Sequence, residues 1–138
     1  ASFKFIVIGG QFINPVANAE NYANFGVERQ YIIDKIRELR ISGVVFLSGD
    51  RHFTELSKMQ ENNSVYPLYD FTVSPLTSGP YPPTENNYLR EENTLYSERN
   101  FGMIHIEGER NKRQLTMQVY DVNGSKVWER QILQEDLK

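Results

Sequence analysis

Cysteine is absent from the 138-residue chain, which removes disulfides, thiolate nucleophiles and Cys-type zinc sites together. Long apolar runs are missing too. Val44–Leu47 is bounded by Gly43 and Ser48, far short of the roughly 20 residues a membrane helix requires. Basic residues are neither abundant nor clustered. With 15 Lys+Arg against 18 Asp+Glu, a net charge of −3 and a pI near 5.4, no Lys/Arg stripe is available to neutralise the phosphates of a nucleic-acid duplex. No signal-peptide pattern precedes the first strand-like run, so any targeting segment or further domain upstream is expected to lie outside this sequence. The loop after that run lacks a Gly-x-Gly-x-x-Gly or Walker pattern, which argues against a nucleotide-binding α/β domain.

Hydrophobic residues at 39% and aromatics at 12% suffice for a packed core, in one domain or one half of a larger one. Phe3–Ile8 is β-branched and aromatic and stops at Gly9-Gly10, as a buried strand would. Asn24 is placed to cap a helix running to about Arg40, with Tyr31, Ile32, Ile36 and Leu39 as its apolar stripe. Ile41–Leu47 reads as a second buried strand, giving a right-handed β-α-β crossover with parallel strands. A short helix over Thr54–Met59 and a strand over Val65–Val73 follow, Pro67 keeping the start of that strand near an edge. Residues 74–99 hold most of the prolines and show no apolar period, which predicts a long functional or mobile loop. Phe101–Glu107, Gln114–Val122 and Lys126–Leu133 then read as an antiparallel meander, the last two strands joined at Asn123-Gly124. The expected class is α/β, a parallel unit followed by a β meander within a layered sandwich.

Chemistry concentrates in Val44-Val-Phe-Leu-Ser-Gly-Asp-Arg-His-Phe53. The strand delivers Asp50 and His52 to its carboxyl end, where open α/β sheets place ligands. If the backbone there is extended, the i, i+2 spacing points both side chains one way and Arg51 another. A carboxylate oxygen and an imidazole nitrogen then converge on one cation. The competing reading is a turn, with the histidine bonded to a carbonyl. His105, the other histidine, reads as a half-buried strand residue with a satisfied ring.

The run Gly43-Val-Val-Phe-Leu-Ser-Gly-Asp-Arg-His52 resembles the Gly-Asp-x-His signature of PhoD-like alkaline phosphatases, a branch of the calcineurin-like metallophosphoesterases. Phe5-Ile-Val-Ile-Gly-Gly-Gln11, the helix Glu28–Arg40 and Phe71-Thr-Val-Ser-Pro-Leu-Thr-Ser-Gly79 agree with it in order and spacing. Asn100–Ile106 looks like the closing strand, with Phe101-Gly102 where members often carry Arg-Gly-Tyr, and Glu55 belongs to a subset only. The resemblance spans nearly the whole chain but only the carboxyl-terminal part of a member, since G-D-x-x-Y-x-D and N-D-x-D motifs are absent.

The resemblance implies the carboxyl-terminal half of a four-layer α/β/β/α sandwich, residues 1–138, that meets an amino-terminal half as its partner. It implies a phosphatase or phosphodiesterase in which two cations (Ca, Fe, Mn or Zn) about 3.5–4 Å apart clamp phosphate oxygens and activate a water. Asp50 and His52 would be metal ligands and catalytic groups, and the chain by itself inactive. Arg51 is a candidate to contact the phosphate ester substrate or, equally, a surface charge. Gln11, at the end of strand one, is a candidate to orient water or phosphate, against an ordinary turn amide. Ser74, Thr77 and Ser78 are candidates for supporting hydroxyls or for an ST-type turn, and Tyr81, Tyr88 and Tyr96 for a substrate mouth or for packing the loop onto its own domain. An exported, periplasmic location goes with the family. The rival reading is a non-catalytic β-rich interaction or scaffold module whose Pro/Asn loop binds a partner.

Overall fold

A computed structural model describes residues 1–60 and 66–138. It is a mixed α/β fold of two sheets, with a single α-helix among the described residues. Strands β1 (Lys4–Val7), β2 (Val44–Ser48), β3 (Glu55–Met59) and β4 (Leu68–Thr72) form one sheet in the order β1-β2-β4-β3. The first three in that order run parallel, and β3 is antiparallel to β4. Strands β5 (Asn100–Glu107), β6 (Gln114–Asp121) and β7 (Lys126–Leu133) form an antiparallel meander. Helix α1 (Gly26–Glu38) connects β1 to β2.

Alternation along the strands explains the layers. Val45, Tyr69, Phe71 and Leu56 leave one face of the first sheet and pack on Leu115, Met117, Val119, Trp128 and Ile132 of the meander. Val44, Phe46 and Leu68 leave the other face and pack on Ile33 and Ile36 of α1 together with Phe12 and Ile13. The central sheet is therefore covered on one face by a helix and on the other by a second sheet. Gly102 makes the sheet–sheet contact possible, because a Cβ there would meet Val73 Cγ2 at 2.8 Å and Phe71 Cζ at 3.0 Å.

Several expected elements differ. The helix expected at Thr54–Met59 is strand β3. Leu56 faces the meander core, while Glu55 and Ser57 face a polar cluster on the α1 side, so both faces are buried and no polar/apolar alternation betrays the strand. Strand one is shorter than Phe3–Ile8 and is an edge strand rather than a buried one, with Val7 77% exposed. Strand two begins at Val44, not Ile41. The expected Val65–Val73 strand is Leu68–Thr72; its first residue lies outside the described residues, and the strand sits inside the sheet, with Pro67 just ahead of it.

The helix is entered through a 3-10 turn at Tyr22–Phe25, capped by Asn21, whose side chain accepts from the Ala23 N–H, and it ends at Glu38. Its inward stripe is Arg29, Ile33 and Ile36, whereas Tyr31 and Leu39 are exposed. Arg29 can face the sheet because it donates to the carbonyls of Phe12 and Ile13 at 2.7 and 2.9 Å and stacks over the Phe12 ring. The meander follows the expectation within a residue at each end, and Gly124 takes the left-handed conformation (φ +78°) that its turn requires. A 3-10 turn at Gln134–Leu137, not foreseen, seats Leu137 in the sheet–sheet core.

Candidate functional site

Parallel pairing brings the carboxyl ends of β1, β2 and β4 to one edge. There Ile8 N–H reaches Leu47 O (3.0 Å), Val73 N–H reaches Ser48 O (2.9 Å) and Gly49 N–H reaches Gly9 O (3.0 Å). Asp50 and His52 follow directly, and both have left-handed backbones, φ +66° and +59°. The extended geometry expected for Asp50–His52 is therefore replaced by the turn of the competing reading, left-handed at Asp50 and again at His52, with the histidine ring on a carbonyl. Such conformations are costly for residues with a Cβ and persist only where the surroundings enforce them, which is common at functional sites.

The surroundings here are the loop after β4. His52 N–H donates to Ser74 Oγ (3.0 Å), and His52 O accepts from Tyr81 N–H (2.9 Å). His52 Nδ1 lies 2.6 Å from Gly79 O. A carbonyl oxygen can only accept, so Nδ1 carries the proton, and in the neutral ring the lone pair is on Nε2. The turn bearing Gly79 is braced by Arg99, whose Nε donates to the carbonyls of Thr77 (3.2 Å) and Ser78 (3.1 Å). Ser74 is held by Thr54, whose Oγ1 accepts from Ser74 N–H at 3.0 Å and donates to Asn100 Oδ1 at 2.7 Å.

Asp50, Arg51 and His52 all line one cavity of about 430 Å³, with Asn18, Tyr81 and Glu85 on its other walls. Asp50 is exposed and His52 partly so. Arg51, expected to point elsewhere, joins the same wall as a consequence of the left-handed turns on either side of it. It is nearly buried, ion-paired through Nη2 with Glu85, and donates from Nη1 to Asn18 O at 2.9 Å.

Gln11 is fully buried, in a position other than the one expected to face water or phosphate. Its Nε2 donates to Glu55 Oε1 (2.7 Å) and Thr72 Oγ1 (3.0 Å), and its Oε1 accepts from Asn14 Nδ2 (2.9 Å). This amide belongs to a polar cluster beneath the site. In the cluster Glu55 also accepts from Asn87 Nδ2 (2.7 Å) and pairs with Arg90. Beside it, Asp70 Oδ2 accepts from the N–H groups of Phe12 (2.7 Å) and Ile13 (3.0 Å), and Oδ1 accepts from Ser48 Oγ (2.7 Å). Burial pushes the Asp70 carboxyl above its ordinary range, opposed by these three hydrogen bonds, while the neighbouring Glu55 pushes it further up.

Of the remaining candidates, Ser74 supports His52, and Thr77 and Ser78 act through their carbonyls on Arg99 rather than through their hydroxyls. Tyr81 lines the cavity, Tyr88 is exposed, and Tyr96 bridges to Thr54. His105 is exposed rather than half-buried, 3.3 Å from Glu107. Sequence reasoning missed Asn18 and Glu85, which reach the site from loops whose spacing carries no signal, and it gave no role to Gly79, although that residue closes the segment Phe71–Gly79 that carries part of the resemblance. It also passed over Asp70, although a carboxylate amid the apolar β4 demands buried donors.

Two donors, a carboxylate oxygen and an imidazole nitrogen with a free lone pair, suit a divalent cation. Among the described residues no group of three or more metal-ligating side chains comes together, so further ligands would have to come from elsewhere. No described helix is long and apolar enough to cross a membrane. Comparison with family models, curated proteins and solved structures returns no match to this chain.

Proposed function

We propose that Asp50 and His52 are this chain's contribution to a metal-dependent phosphoric ester hydrolase centre of the PhoD-like type. The observation that carries the reading is the histidine's fixed tautomer. A ligating imidazole needs an acceptor for its other N–H, which fixes the tautomer and the ring's orientation; Gly79 O supplies that acceptor at 2.6 Å. The left-handed backbone at both candidate ligands, on the wall of a polar cavity at the carboxyl edge of a parallel sheet, supports the same reading.

In this reading Asp50 offers a carboxylate oxygen and His52 offers Nε2. Bound cations would supply Lewis acidity toward a phosphoryl oxygen and a more acidic water. The chain's own residues hold the donors still: Ser74 and Tyr81 clamp the His52 backbone, and Gly79 keeps its ring from rotating. Gln11 and Glu55 fill the floor beneath them.

The finer architecture belongs to the same proposal. The three layers are the part of a four-layer sandwich contributed by this chain, and an amino-terminal half supplies the rest of the sheet and the missing ligands. The outer border of β1, which pairs with no further strand among the described residues and has Ile6 36% and Val7 77% exposed, supports this. An exported location goes with the family likeness. Exposed Leu76, Tyr81 and Tyr88 on the 74–99 loop favour the second reading, a non-catalytic interaction module.

Hydrolysis of p-nitrophenyl phosphate and of a bis ester by the longest natural form of the protein tests between them. The phosphatase reading expects activity that a chelator abolishes and that Asp50→Asn with His52→Ala removes. Activity unchanged by that pair of substitutions would overturn it.

A further inference from the structure

Glu85 occupies an unusual place for a loop carboxylate. Its side chain and that of Arg51 are only 5% and 6% exposed, although both line the cavity. Besides the Arg51 guanidinium, Glu85 accepts from Asn18 Nδ2 through Oε2 (3.0 Å) and from Asn14 Nδ2 through Oε1 (3.5 Å). Asn18 adds its backbone oxygen to Arg51 Nη1 at 2.9 Å. One guanidinium nitrogen, Arg51 Nη2, and two amide donors converging on one carboxylate make a preformed oxyanion site, and its occupant is the chain's own side chain.

The same carboxylate holds down its loop. Between Tyr81, bonded to His52 O through its N–H, and Asn87, bonded to Glu55 and Ser57, the hydrogen bonds described for the loop reach the rest of the molecule through Glu85 and through Thr84 Oγ1, 3.4 Å from Asn18 Nδ2. Pro82 and Pro83 stiffen this stretch.

We propose that Arg51, Asn18 and Glu85 form an exchangeable anion site, in which the oxyanion of a phosphate displaces the Glu85 carboxylate from the guanidinium and frees the 82–86 loop to move off the cavity. The choice of phosphate as the anion rests on the phosphatase reading; the exchange itself rests on the geometry of the three residues. An internal competitor lowers apparent affinity by the fraction of molecules in which it has let go. Wild-type protein therefore binds free phosphate weakly.

The test titrates inorganic phosphate into chelator-treated protein, by calorimetry, so that no metal contributes. Glu85→Gln, which keeps the shape of the side chain, should bind phosphate about ten-fold tighter or more, because a neutral amide competes less well for the guanidinium. Adding Arg51→Met should erase the gain. In the wild type, saturating phosphate should speed amide hydrogen exchange at Thr84–Asn86 while leaving β2 unchanged, a readout that does not depend on either variant folding. Unchanged affinity in Glu85→Gln, a gain that survives Arg51→Met, or exchange at 84–86 that phosphate leaves unaltered would overturn the proposal. Hydrolysis is not read in any arm, so failure here leaves the roles of Asp50 and His52 standing, and failure of those roles leaves the exchange measurable.

Discussion

His52 Nδ1 and the carbonyl oxygen of Gly79 are 2.6 Å apart across 27 residues of chain. The contact joins the turn after β2 to the loop after β4 and decides which ring nitrogen is available. In ¹⁵N spectra the neutral form of the His52 ring should be the Nδ1–H tautomer. Arg99→Ala, which removes the brace on the carbonyls of Thr77 and Ser78, should move the ring toward a mixture of tautomers. A His52 already present as the Nε2–H form would contradict the site's geometry.

Asp50 is exposed and sits at φ +66°. Replacing it with glycine removes a left-handed strain of about 1 kcal/mol, so Asp50→Gly should raise the melting temperature by about 3 °C while abolishing any metal-dependent hydrolysis. A variant less stable than the wild type would mean that Asp50 contributes to the fold instead.

Asp70 gives the protein a pH signature. Its folded carboxyl is raised above its ordinary value of 3.8, chiefly by burial. The folded state therefore keeps a proton that the unfolded state has already released, and stability from this group falls as pH rises from the ordinary carboxylate range through the raised value. Asp70→Asn can keep the bonds from Phe12 and Ile13 and donate to Ser48, but does not titrate. The unfolding free energy of the wild type relative to Asp70→Asn should decline as pH rises from about 4 toward neutrality. A difference that is flat or rises over that span would refute it.

Glu55 is fully buried, and its cationic partner is Arg90. Arg90→Met strands that carboxylate beneath the site and should cost about 3–5 kcal/mol, read by urea unfolding. Glu55→Gln combined with Arg90→Met should recover a large part of the loss, since the uncompensated charge is then gone.

Gly102→Ala should cost about 1–3 kcal/mol by overpacking, because the added methyl meets Phe71 and Val73 across the two sheets. Phe71→Leu in the same chain should recover part of that by making room. An alanine tolerated without loss would mean that the two sheets slide apart easily.

The meander was legible in sequence because its surface alternates, with Leu115, Met117 and Val119 inward and Gln114, Gln118 and Tyr120 less buried, and because Asn123-Gly124 marks its turn. The β1-α1-β2 unit was legible for a related reason: the strands are apolar runs and the helix between them is amphipathic. β3 was not, since Glu55 and Ser57 are polar yet buried, their partners Gln11, Asn87 and Arg90 lying 30 or more residues away in the chain. The α1 stripe is half as expected, with Ile36 buried and Ile32 packed partly against the same cluster but Tyr31 and Leu39 exposed; Arg29 faces inward instead to serve two carbonyls, a demand that only the folded loop at Phe12–Ile13 creates. At the site, Asp50 and His52 could be picked out by residue type, but their backbone hand, the Gly79 acceptor and the Arg51–Glu85 pair depend on loops whose courses no local pattern encodes.

Leu137 is fully buried between the two sheets, and its carbonyl accepts from Gly43 N–H at 2.8 Å, at the threshold of β2. The doorway into β2 is thus latched by a short turn at the far end of the meander, about 90 residues along the chain from the strand it holds. Whatever prises the 134–137 turn from its seat uncovers the apolar filling and loosens Gly43 in one motion, so a disturbance at one end of the meander is felt at the mouth of the other sheet.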